Sequence, residues 1–166
     1  MSQTSYNEQG DAQVGLMADS AATVVDSFTA ETAIPFGRFV VRGTKPAIQC
    51  KLPASAGDVT GLKALGIAVR TQAIEIPLNS TAAPQYPANM AVSVVNFGRV
   101  WVETETAATD TTKEVYVRHT AAGALNKLGG FAAASGTGLA KLDNAKWLGE
   151  DKTINGRQMA VVEYRR

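Results

Sequence analysis

The 166-residue chain contains one cysteine, Cys50, and one histidine, His119. A lone cysteine forms no intrachain disulfide, which excludes a small secreted scaffold held by cross-links. One histidine and one cysteine far apart do not make a zinc site, which needs a cluster of such ligands. A nucleophilic triad needs a base beside its nucleophile. His119 sits at the end of a strand pattern beside Thr120, with no nucleophile motif near it. Charge is scarce as well. Charged residues make up 19% of the chain and the formal net charge is +1. Such a chain has no long-range field to draw nucleic acid or an anionic membrane. The pair Arg165-Arg166 reads as a solvated tail. No run approaches the roughly 18 apolar residues of a membrane span. The start, "MSQTSYNEQGDAQVG", lacks the basic and apolar regions of a signal peptide. Without export, the sequon "NST" at 79–81 carries no weight. The expectation is a cytoplasmically made protein with no cofactor, no metal, and neither nucleic acid nor membrane as partner.

What is present is alternation. Residues 1–20 are polar and read as an N-terminal arm that, extended, spans on the order of 60 Å. Residues 21–166 read as a single domain. In "AIQCKL" (47–52), Ile48, Cys50 and Leu52 share a face. In "LGIAVR" (65–70) the aligned residues are Leu65, Ile67 and Val69, and in "AIEIPL" (73–78) they are Ile74, Ile76 and Leu78. "NMAVSVV" (89–95) aligns Met90, Val92 and Val94. "RVWVETE" (99–105) turns Val100 and Val102 inward and leaves Trp101, Glu103 and Glu105 on the other face. "KEVYVRH" (113–119) sets Val115 and Val117 against Tyr116 and Arg118. "RQMAVVEY" (157–164) sets Met159 and Val161 opposite Val162 and Tyr164.

Successive strand side chains point to opposite faces, so period two predicts half-buried strands. Turn chemistry separates them: "NFGR" (96–99) between two strands, "NG" (155–156) as a hairpin, "GTKP" (43–46) and the material around 84–90 as loops. The expected fold is all-β, an antiparallel jelly-roll-like barrel or sandwich with an extended arm and little helix. "GLAKLDNAKWL" (138–148) is the best helical candidate, or else a short strand after a turn. "GGFAAASGTG" (129–138) reads as a flexible loop.

Chemistry is hard to find. Cys50 faces the predicted core as a small hydrophobe. Asp143 and Asn144, or Glu150 and Asp151, lack the calcium-loop pattern. "GTG" (136–138) and "GDVTG" (57–61) lack the lysine and the strand-loop-helix context of a phosphate loop. Glu103 and Glu105 stand at i and i+2, within reach of a glycosidase pair's roughly 5–9.5 Å. Nothing else implies a cleft, so they are expected to face solvent or an interface. "FGRF" (36–39) reads as a turn with two core anchors. No catalytic, cofactor-binding or metal residue is assigned. An alternative function is a β-sandwich module for carbohydrate or another surface ligand, for which Trp101, Tyr116 and Trp147 are the available aromatic platform.

"VGLMADSAATVVDSFTAETAIPFGRFVVRG" (14–43) resembles the opening segment of the capsid cement, or decoration, proteins of tailed bacteriophages. The resemblance lies in Gly15, Leu16, Ala18 and Asp19, then Ile34, Phe36, Gly37, Val40 and Val41. "GIAVR" (66–70), the hairpin "VVNFGRVWVETE" (94–105), "EVYVRH" (114–119) and "NGRQMAVVEYRR" (155–166) are similar to later strands of that family. Thr112, Lys113 and Glu114 depart from the Gly-Asp that often precedes the family's Val-Tyr-Val strand. The resemblance implies a non-enzymatic virion protein on the outer surface of an icosahedral shell. It would bridge major capsid protein subunits and self-associate as a dimer or trimer.

Overall fold

The computed structural model describes residues 13–19, 22–71, 74, 84–108, 110–123, 126–154 and 156–166. The strands are β1 (Val24–Ala30), β2 (Ile34–Pro35), β3 (Phe39–Arg42), β4 (Gln49–Lys51), β5 (Ala64–Ala68), β6 (Gln85–Tyr86), β7 (Ala91–Glu103), β8 (Tyr116–Arg118), β9 (Phe131–Ala132), β10 (Leu139–Lys141), β11 (Ala145–Ile154) and β12 (Arg157–Arg165). One short helix, α1 (Ala56–Thr60), follows β4. The fold is all-β, as the alternation predicts.

The main sheet runs β1-β4-β3-β5-β7-β12-β11, and β1 also pairs with β7. That second pairing closes β1, β4, β3, β5 and β7 into a barrel. All these contacts are antiparallel except the two-residue parallel pairing of β1 with β4. The barrel core holds Ala30, Val40, Cys50, Leu65, Ala68, Val92 and Val94, joined by Ile34, Phe36 and Tyr86 from the β2/β6 region. The opposite face of β3, β5, β7 and β12 packs on the three-stranded sheet β10-β8-β9. Phe39, Ile67, Val100, Val102, Val117, Phe131, Trp147, Val162 and Tyr164 fill that layer. Phe39 makes edge contacts with both Phe131 and Tyr164. Burying such a side chain contributes about 1.5–3 kcal/mol, so this layer ties the two sheets together.

Several local expectations are corrected. "NFGR" is no turn between two strands: β7 runs unbroken for 13 residues. The β1–β7 register shifts between the Val24–Phe97 and Val25–Val95 pairs, and at the neighbouring Gly98, at φ 152°, a side chain would meet Thr23. On one edge β7 carries β5 and then β12; on the other it carries β1. Leu65 does not share a face with Ile67. A bulge between the Val40–Gly66 and Val41–Ala64 pairs turns Leu65 into the barrel, while Ile67 and Val69 point to the other layer. Ile48 and Met90 are exposed, because each precedes the first paired residue of its strand.

Residues 138–148 form β10, a turn with Asn144 at φ 62°, and the start of β11, not a helix. "GGFAAASGTG" is not simply a loop, since Phe131 and Ala132 form β9 and are buried. Of "AIEIPL", only Ile74 lies within the described residues. Other readings hold. Met159 and Val161 lie opposite Val162 and Tyr164. Ile154 pairs with Arg157 across a two-residue hairpin with Gly156 at φ 74°.

Candidate functional site

Cys50 is fully buried, and burial pushes its thiol up to about 12. A thiol held that high forms no thiolate near neutral pH. The His119 ring lies 3.1 Å from the hydroxyl of Thr120, and its backbone N donates to Gly138 O at 2.9 Å. Among the described residues no group of three or more His, Cys, Asp or Glu is placed to hold a metal ion. Trp101 and Trp147 are buried, and the Trp147 indole donates to the Glu114 carbonyl at 3.2 Å. The aromatic platform needed by a ligand-binding module does not form from them.

Glu103 and Glu105, expected to face solvent or an interface, do not face solvent, since each is turned onto an arginine of this chain. The Arg38 Nη2 donates to Glu103 at 2.8 Å, and both side chains are nearly buried. Arg118 forks onto both oxygens of Glu105, again with both partners nearly buried. "FGRF" does supply two core anchors, Phe36 and Phe39, but Arg38 between them is buried as well. Burial lowers the pKa of Arg38 and the neighbouring Glu103 carboxylate opposes that shift. These pairs fasten the end of β7 to the turn before β3 on one side and to β8 on the other. Alternation marked the two glutamates as facing one way, but no local signal named arginines 65 and 13 positions distant.

A second charged centre sits beside Gly98, where Arg99 of β7 pairs with Glu163 of β12. Glu163 is 4% exposed and receives Arg99 at 2.9 Å, Arg165 at 2.7 Å and Lys146 at 3.1 Å. Burial works against its charge, but the hydrogen bonds from Arg99, Arg165 and Lys146 prevail and hold its carboxyl down to about 2. Arg99 also reaches Asp19 at 2.6 Å, and the surrounding groove of about 200 Å³ is lined by Phe97 and Gly98 as well.

Asp19 belongs to a stretch, 13–19, that turns at Val14 and Gly15 and lies along the C-terminal half of β7. Gly15 N donates to Trp101 O at 2.8 Å, Trp101 N to Leu16 O at 2.8 Å and Ala18 N to Arg99 O at 2.9 Å. Val14, Leu16 and Ala18 thereby cover Trp101, Met159 and Val161. This stretch crosses the turn before β3 at a pair of glycines. Gly15 (φ +80°) and Gly37 (φ +69°) approach so closely that a Cβ on Gly37 would lie 2.4 Å from Val14 Cγ1 and 2.9 Å from Gly15 N. Only glycine adopts this conformation without strain and leaves room for the crossing. The definite turn in "IPFGRF" is therefore the seat on which the N-terminal stretch rests.

The described residues form a β-barrel with a second sheet packed on it, fastened by nearly buried ion pairs and with Phe36, Phe39, Tyr86, Trp101, Phe131, Trp147 and Tyr164 in the core. A model of the family described as "Structural cement protein (E217 gp24/Pam3 gp6)" matches residues 2–165. The chain belongs to this family of phage structural cement proteins and has a structural role in the virion. Among solved structures, its fold matches a chain from the capsid of Myoviridae phage XM1 with a TM-score of 0.69 and 19% identity. The match covers 100% of this chain and 98% of that one. No curated protein matches the sequence.

Proposed function

We propose that this chain binds the outside of an icosahedral phage capsid and bridges neighbouring major capsid protein subunits, stabilising the shell without catalysis. Family membership over nearly the whole chain carries this reading. The physical design supports it. A cement transmits force between subunits, so its own body must not shear. Arg118–Glu105 ties the segment after β7 to the second sheet, and Arg38–Glu103 ties the end of β7 to the turn before β3, so both resist shear of the body. Self-association as a dimer or trimer at a symmetry axis would multiply weak contacts. Residues 1–20 serve as an arm in this scheme, with 13–19 as its root on β7 and the preceding residues engaging a neighbour.

Light scattering on the purified chain over a range of concentrations, followed by co-sedimentation with undecorated capsids of the phage encoding it, tests the proposal. Saturable binding with a fixed number of copies per capsid is expected. Absence of binding refutes it.

A further inference from the structure

Two edges of the main sheet are built in opposite ways: the outer edge of β11, and the stretch of β1 before its two-residue pairing with β4. β11, the outer strand at one end, carries Lys146, Glu150, Asp151 and Lys152, and its pairing with β12 is irregular between Trp147 and Asp151. Charges and bulges are how proteins keep an edge from pairing with other chains. β1 has few such defences. It reads VVDSFTA, with no lysine, arginine or proline and a single irregularity between Val24 and Val25.

The free edge of β1 follows from hydrogen-bond parity. Ala30 N donates to Met90 O at 2.9 Å, towards β7, whereas Thr29 N donates to Ile48 O at 2.8 Å, on the opposite side. Backbone groups alternate in direction along an antiparallel strand, so Val25 and Ser27 point away from β7 like Thr29. The pairing with β4 covers only Thr29 and Ala30. No described residue pairs with Val25 or Ser27 on that side. Val24 (50%), Val25 (44%) and Ile48 (57%), all exposed large hydrophobics, border the same edge.

Charge indicates the occupant. The first 37 residues hold five acidic residues and no basic one; all 16 Lys and Arg lie from Arg38 onward. On β1 itself, Asp26 accepts a bond from Asn96 Nδ2 at 2.5 Å and pairs with no described cation. A second copy of β1 would bring acid towards acid. We infer that the β1 edge, from Val24 to Phe28, takes up an extended strand of the capsid shell protein. That strand would be apolar beside Val25 and Ile48, and would carry lysine or arginine opposite Asp26. This rests on the cement reading and names how the shell is gripped.

Val25→Pro and Ser27→Pro remove outward N–H groups without touching the β1–β7 ladder, a placement that edge strands tolerate. Asp26→Lys reverses the charge and leaves the backbone intact. Each variant is mixed with undecorated capsids beside the wild-type chain, with size exclusion reporting oligomeric state. Binding weaker by on the order of tenfold or more in all three, with unchanged oligomeric state, is expected. Hydrogen exchange on the wild-type chain should show new protection of residues 24–28 on capsids, a readout that needs no variant to fold. Wild-type binding that the variants leave unchanged, with no protection at 24–28, overturns this inference alone. Variants that change only the oligomeric state assign the edge to a second copy and overturn it too. A wild-type chain that ignores capsids removes the cement reading, and this partner with it.

Discussion

The Gly15–Gly37 crossing supports a quantitative prediction. Gly37→Ala places a methyl in a left-handed backbone conformation, which costs about 1–2 kcal/mol wherever it occurs. At Gly37 the same methyl would also stand 2.4 Å from Val14 and 2.9 Å from the Gly15 amide. The neighbour at 2.9 Å is backbone, so the N-terminal stretch must lift. Lifting it gives up the bonds to Trp101 and Arg99 and uncovers Trp101, Met159 and Val161. Those losses add about 2 kcal/mol. Gly123→Ala is the control, because Gly123 has φ +79° with no described atom within 4 Å of the place its new methyl would take. Urea denaturation should show Gly37→Ala destabilised by about 3 kcal/mol and Gly123→Ala by about 1 kcal/mol. Tryptophan emission should shift to the red in Gly37→Ala before unfolding, reporting Trp101 while Trp147 stays buried. Equal destabilisation by the two substitutions, with unshifted emission, would refute the crossing as the anchor.

Glu103→Gln leaves the buried Arg38 without its counter-charge and should cost about 3–5 kcal/mol in urea unfolding, with much of the loss recovered when Arg38→Met is added. Glu163 has a depressed folded pKa of about 2, so its contribution is present above the unfolded value of 4.5 and lost as pH falls towards 2. Its three cationic partners are substantially exposed, which limits the loss to on the order of 1–3 kcal/mol; a pH series of thermal melts should show this slope reduced in Glu163→Gln. Cys50 should resist a thiol reagent in the native state and react in step with global unfolding, whereas fast labelling in buffer would mean that the barrel opens locally.

The parts of the fold legible in sequence are those where strand parity is uninterrupted. β12 reads correctly on both faces because one side packs on the second sheet and the other beneath Val14 and Leu16. Parity fails where a backbone irregularity intervenes. The bulge at Leu65 moves one side chain across the sheet, and Gly98, inside a continuous strand beside a register shift, looks locally like a turn. A Gly flanked by alternation is equally consistent with either, and only the partners of β7 on its two edges decide. The buried arginines were invisible for a different reason. Arg38 and Arg118 occupy positions where alternation permits a polar side chain, and their burial is set by glutamates contributed by another strand. The two halves of the opening segment, Gly15–Asp19 and Ile34–Val41, are one unit in space, joined at the two glycines.

Bridging is a mechanical role, and the rupture temperature of capsids is its direct measure. Undecorated capsids of the encoding phage are heated with and without saturating amounts of the purified chain, and DNA release or light scattering marks rupture. Bridging predicts a higher rupture temperature that rises with occupancy and levels off at saturation. A chain that saturates the capsid surface yet leaves the rupture temperature unchanged would contradict it.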